Sequence, residues 1–177
     1  MMFVGLVWSL ALLVAVAGYA KLVAPDYTAG ALAALGFRWV RHSHVRLLAV
    51  VEIAVGVTVI ATGLSSAVAA LTLFYVGFTV FVVLALARDT PLSSCGCFGR
   101  PDTPPTSAHL VVNAVSAGLL GWVAATASRV GVGDVLAEYG SGAVPIVLSA
   151  GTTTYLLYLL LSFAPSRLPV VLGRASS

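Results

Sequence analysis

The stretch that decides the fold is residues 67–87, AVAALTLFYVGFTVFVVLALA, which carries no charged side chain. A helix of about 20 apolar residues is long enough to cross the hydrocarbon core of a bilayer. Four other stretches share this character, so the predicted spans are Met2–Leu22, Leu47–Gly63, Ala67–Ala87, His109–Ser128 and Val144–Ala164. We expect helices because backbone polar groups in lipid need partners within their own segment.

The overall composition agrees with a membrane protein. Hydrophobic residues make up 60 % of the chain and charged residues 8 %, with a mean hydropathy of +1.06. Soluble domains carry about 25 % charged residues. We therefore predict an all-α integral membrane helix bundle whose surroundings are the lipid bilayer. The net charge of +3 comes from scattered cations, and without a basic run we expect no nucleic-acid partner.

Residues 23–46 separate the first two spans and are too long for a tight turn. Pro25-Asp26 predicts a turn, and Ala29–Val40 predicts a short interfacial helix. Such a helix would hold Trp39 and the neighbouring cations at the level of the lipid head groups.

Two units follow from the order of these segments. Residues 1–128 are predicted to form a four-helix membrane bundle with a loop at 88–108. Residues 129–177 are predicted to form a polar loop up to residue 143, a fifth transmembrane helix and a short tail.

The loop between the third and fourth spans holds Cys95-Gly96-Cys97, which contains both cysteines of the chain. Two thiols at this spacing can interconvert between dithiol and disulfide or bind a soft metal. A bond across one residue closes a small, strained ring that is readily reduced, and glycine has the backbone freedom to allow it. Arg88 and Arg100 flank the pair and favour the thiolate. The pattern favours thiol–disulfide chemistry.

Other polar residues are predicted to gather beside this loop. In a serial bundle, the loops after the first and third spans lie on one side of the membrane, which brings Lys21, Glu52, His109 and Asn113 towards the cysteines. A carboxylate within a span is costly and usually has a partner. Glu52 is thus either a proton acceptor or an ion-pair partner of Lys21 or of a cation in 38–46. His109 is either a thiolate-stabilising or proton-relaying group or an interfacial residue.

The alternative to redox chemistry is a non-catalytic membrane binding or chaperone subunit. Its cysteines would hold a soft metal or serve as a structural staple. His42 and His44 lie on the same side, but nothing in the sequence fixes their distance to the thiols, so we predict no metal site.

Three motifs carry a family resemblance: AGYAKL at 17–22, EIAVG at 52–56 and SCGCFG at 94–99. Together they resemble the methylamine-utilisation protein MauE family, within the wider DoxX-like membrane group. The resemblance covers roughly residues 1–128, and the last motif is its most specific part.

The resemblance implies a four-helix bundle with an added helix and a redox role in maturing exported proteins. It implies a thioredoxin-like partner, an exported client protein, and site residues Cys95 and Cys97 with Lys21 and Glu52 as a buried polar pair. We thus predict a membrane thiol–disulfide oxidoreductase or its accessory protein, with His109 joining the catalytic set. A membrane quinone is compatible with this chemistry, although no motif specifies one.

The distribution of Lys and Arg bears on which side of the cell membrane the cysteine loop faces. Arg129 is on the opposite side, and the cysteine side carries Lys21, Arg38, Arg41, Arg46, Arg88, Arg100, Arg167 and Arg174. The positive-inside rule would place the cysteines in the cytoplasm, where thiols are kept reduced. The family resemblance favours the outer face, and we predict a multi-pass protein with an extracytoplasmic cysteine loop.

Overall fold

The computed structural model describes residues 2–88, 104–126 and 130–163, and within them the secondary structure is helical. The helices are α1 (Met2–Val23), α2 (Pro25–Ala34), α3 (His42–Thr62), α4 (Ser65–Ala87), α5 (Ser107–Ala125), α6 (Val132–Tyr139) and α7 (Val144–Phe163). A short 3₁₀ turn at Gly140–Ala143 joins the last two. By length and apolar composition, five of the described helical segments can cross a membrane. The predicted all-α membrane bundle is confirmed.

Helix α1 is the centre of the bundle. In its most apolar stretch 56 % of the residues are buried, against 22–28 % in the other four spans. It packs against α3 and α7, while α4 packs against α5 and α3. The phenol of Tyr75 on α4 donates a hydrogen bond to the Leu10 carbonyl of α1, at 3.0 Å. The core therefore forms around α1, and the outer faces of the other helices meet lipid.

Glycine allows α1 and α3 to approach backbone to backbone. A Cβ atom at Gly18 would lie 2.7 Å from the Ala49 carbonyl oxygen, and one at Gly56 would lie 2.6 Å from that of Ala11. Small residues at helix contacts are the usual way for membrane helices to pack closely, because lipid supplies no hydrophobic force between them.

The interfacial helix lies earlier in the chain than predicted. Pro25 opens α2 instead of a turn, since proline lacks the N–H that a first-turn residue leaves unbonded anyway. The helix ends before Gly36, whose φ of 94° departs from helical geometry. Trp39 follows in the connecting stretch and is 69 % exposed, so it reaches the surroundings without being helical.

The segment predicted as a polar loop at 129–143 contains helix α6. Its apolar side buries Val135 against Trp8 and Ile146, as expected when apolar residues recur at helical spacing. The indole of Trp8 donates to the Val130 carbonyl at 2.7 Å, which fixes the start of this segment to α1.

The close approach at Gly56 predicts a specific sensitivity to size. A Gly56→Ala variant should lower the free energy of unfolding by about 1–3 kcal/mol, as overpacking of a tight interface does. The matched control is Gly77→Ala on α4, where an added Cβ meets no atom within 4 Å. Denaturation of both variants in mixed micelles would check this, and equal midpoints for the two would contradict it.

Candidate functional site

Lys21 and Glu52 form a buried ion pair between α1 and α3. The Nζ atom of Lys21 lies 3.0 Å from Oε1 and 2.9 Å from Oε2 of Glu52. Lys21 is 2 % exposed and Glu52 0 % exposed. Of the partners predicted for Glu52, the structure selects Lys21, and the pair satisfies both carboxylate oxygens.

The local sequence explains why these two residues meet. Lys21 lies in the last turn of α1, and Glu52 lies roughly 15 Å along α3 from its start at about 1.5 Å per residue. Gly18 precedes Lys21 by almost one turn, and a Cβ there would be 3.1 Å from the Cβ of Glu52. The glycine contact therefore also brings the two charges within hydrogen-bonding distance.

An aromatic ring completes the surroundings of the ammonium group. The Nζ atom of Lys21 lies 5.3 Å from the ring centroid of Phe78 on α4, within the range of a cation–π interaction. Phe78 was not predicted as part of the site, because the sequence of a uniformly apolar helix does not indicate which residues each of its side chains contacts.

His109 lies beside the same ring on the first turns of α5. Its Nδ1 atom is 2.9 Å from the hydroxyl oxygen of Thr106. The residue is 2 % exposed, and its Nε2 atom has no hydrogen-bond partner within the described part of the chain. His109, Asn113, Tyr75 and Phe78 line one small cavity of about 20 Å³. Phe78 therefore borders both the Lys21–Glu52 pair and the cavity of His109 and Asn113. The predicted gathering of these residues with the two cysteines stays a prediction.

Cys95 and Cys97 lie outside the described residues, as does Arg100. The described chain ends at Arg88 before them and resumes at residue 104. The Arg88 guanidinium donates a hydrogen bond to the Leu35 carbonyl, which fixes the end of α4 to the end of α2. The cysteine segment thus leaves and re-enters the bundle at one end, which we call the loop end: the end where α1 and α4 finish and α3 and α5 begin.

The two interfacial histidines take separate partners. The Nε2 atom of His42 lies 3.0 Å from a carboxylate oxygen of Asp26, and the Nδ1 atom of His44 accepts a hydrogen bond from the Arg41 backbone N–H at 3.0 Å. Among residues 2–88, 104–126 and 130–163, no group of three or more His, Cys, Asp or Glu side chains could hold a metal ion.

The protein is a polytopic integral membrane protein. It has five spans, a core around α1 and a pair of charged side chains buried inside the bundle. The family model described as methylamine utilisation protein MauE matches residues 1–126, and the chain belongs to this family. The resemblance carried by the three motifs is confirmed. No curated protein matches the chain, and no solved structure matches it.

The ion pair predicts strongly unequal effects of single and double substitutions. Lys21→Met or Glu52→Leu should each lower the free energy of unfolding by about 3–5 kcal/mol, because each leaves one buried charge alone. The double variant should recover most of that loss, since apolar side chains replace both charges. Thermal or denaturant unfolding of the purified protein measures all three.

The matched control for these variants is Arg46→Gln, an exposed cation on α3. Its effect should stay within about 0.5 kcal/mol, as for most surface substitutions. If either single variant were as stable as this control, the pair would not hold α1 and α3 together.

Proposed function

We propose that this MauE-family protein is a membrane thiol–disulfide oxidoreductase, or an essential accessory of one, that acts through Cys95 and Cys97. The observation that supports the proposal is that Phe78 borders both the buried Lys21–Glu52 pair and the cavity lined by His109, between the helices α4 and α5 that flank the cysteine segment in the chain. Charged and titratable groups inside a membrane are costly and generally mark sites of function. The client would be an exported protein that needs disulfides.

The exchange proceeds through a mixed disulfide. The thiolate of one cysteine attacks a disulfide sulfur of a thioredoxin-like partner, and the partner's other sulfur leaves as a thiolate. The second cysteine then attacks the mixed disulfide, which closes the Cys95–Cys97 bond and releases the reduced partner. Two electrons pass to the partner, whose sulfurs take up the two protons that the pair released. The reverse sequence oxidises the partner and reduces the Cys95–Cys97 disulfide, and this is the direction that forms disulfides in a client. The two electrons must then leave the pair for an acceptor such as a membrane quinone, which reoxidises it.

The buried polar residues have separate roles in this scheme. His109 takes a proton from an attacking thiol and returns it to a leaving thiolate, since an imidazole accepts and donates protons near neutral pH. Glu52 is a second proton-accepting group, and Lys21 contacts its carboxyl group at 2.9 Å. The Lys21→Met/Glu52→Leu double variant distinguishes a structural role of the pair from a role in proton transfer. A stable but inactive double variant would support the role in proton transfer.

Substitution of the cysteines tests the proposal directly. Cys95→Ser/Cys97→Ser should fold and insert as the wild type does, yet lose the formation of disulfides in an exported reporter enzyme. The single variant that keeps the attacking cysteine should instead accumulate a mixed disulfide with the partner, because the resolving thiol is missing. Non-reducing electrophoresis of trapped cells detects both effects. The matched control is Ser93→Ala/Ser94→Ala in the same loop, and full activity of the double cysteine variant would overturn the proposal.

The proposed role places the cysteine loop on the extracytoplasmic side. The positive-inside rule counts loop cations, and Lys21 is buried in a helix against Glu52, so it does not belong in that count. Three exposed arginines of the interfacial stretch, Arg38, Arg41 and Arg46, still favour the opposite orientation. Sidedness therefore needs its own measurement.

A membrane-impermeant maleimide applied to intact cells provides that measurement. We expect labelling of Cys95 and Cys97 only after mild reduction, because an extracytoplasmic pair would be held as a disulfide. The double cysteine variant gives the background signal. Labelling that required permeabilised membranes would place the loop in the cytoplasm and contradict the extracytoplasmic mechanism.

A further inference from the structure

The small cavity beside His109 has the size of a hydration site, and two polar side chains stand in its mainly apolar lining. Its volume of about 20 Å³ exceeds the roughly 10–15 Å³ that one water molecule needs. His109 and Asn113, one turn apart on α5, both line it. The Nε2 atom of His109 is buried and has no partner within the described chain.

A buried ring nitrogen without a hydrogen-bond partner is energetically unfavourable, and a bound water molecule usually supplies the missing hydrogen bond. Thr106 already engages Nδ1 of the same ring at 2.9 Å. Tyr75 also lines the cavity, and its hydroxyl donates its proton to the Leu10 carbonyl. The other walls are apolar or aromatic, so His109 and Asn113 supply the main polar partners.

We propose that one water molecule binds in this cavity between His109 Nε2 and the carboxamide of Asn113. Asn113 is then a positioning residue that acts on His109 through the water. The role of the water in proton transfer rests on the proposed function, whereas the binding of the water does not.

Hydration explains how a buried histidine could change its protonation state. A neutral imidazole has one donor and one acceptor nitrogen, and a protonated one has two donors. A threonine hydroxyl and a water can each donate or accept, so both ring nitrogens keep a hydrogen bond in either state. Without the water, a proton on Nε2 would point into an apolar cavity with no acceptor. The water thus lets His109 take up and release a proton, as the proposed function requires.

Nitrogen-15 NMR of histidine-labelled protein in lipid nanodiscs tests the hydration directly. The chain has three histidines, and the exposed His42 and His44 provide internal standards that should contact water in every sample. We expect a cross-peak between water protons and the His109 Nε2 nitrogen in the wild type and in Cys95→Ser/Cys97→Ser. A wild-type spectrum with no such cross-peak would overturn the proposal, whatever the cysteines do.

A pair of substitutions tests the role of Asn113. Asn113→Leu fills the cavity with an apolar group and should abolish the His109 cross-peak, while Asn113→Ser keeps a polar partner and should retain it. Thiol–disulfide exchange should slow about tenfold or more in the leucine variant and far less in the serine variant. A leucine variant that kept both cross-peak and rate would overturn the assignment of Asn113. Loss of the cross-peak at an unchanged rate would overturn the link to proton transfer and leave the redox proposal standing.

Discussion

The structure depends on the backbone contact between α1 and α3. Two apolar helices gain no hydrophobic stabilisation when they associate in lipid, so close packing and polar contacts must hold them together. Gly18 and Gly56 remove the side chains that would keep the helices apart. The same approach brings Lys21 to Glu52, where two charges that would each be unfavourable alone satisfy one another. The close packing of the two helices thus also sets the geometry of the ion pair.

The membrane spans could be predicted from the sequence, because a helix that crosses a bilayer needs a long apolar run. Long uncharged runs predict spans, and five are found. The outer and inner faces of those spans could not be told apart, because both are apolar. In α4, Leu71 is completely buried while Leu73 is 71 % exposed to the surroundings, yet the two residues are identical and two positions apart. Helix α6 was missed because its apolar residues are few and separated by glycine, aspartate and glutamate.

The candidate site was predictable to the extent that its members carry charge. Lys21 and Glu52 stand out in apolar surroundings, and serial crossing of the membrane assigns them to one end. Phe78 is uncharged and does not stand out in its helix. Its position beside the Lys21 ammonium group depends on the rotation of α4 relative to α1. Thr106 was missed for a different reason: its contact with His109 is a local turn geometry at the start of α5, which the sequence does not distinguish from an ordinary helix start.

Helix α7 lies beyond the part of the chain that matches the family model, yet it contributes to the site. Two shared hydrogen bonds link it to α1. The Ser9 hydroxyl lies 2.7 Å from the Gly5 carbonyl of its own helix and 3.2 Å from the Ala150 carbonyl. The Thr154 hydroxyl lies 2.8 Å from the Ala150 carbonyl of its own helix and 3.2 Å from the Ser9 carbonyl. This docking sets Leu161 against Leu13, where it forms part of the wall of the His109 cavity. A fifth helix that merely added membrane anchorage would have no need to reach the polar cluster. Leu161 instead lines the His109 cavity together with residues of α1, α4 and α5, so the added helix contributes directly to the candidate site.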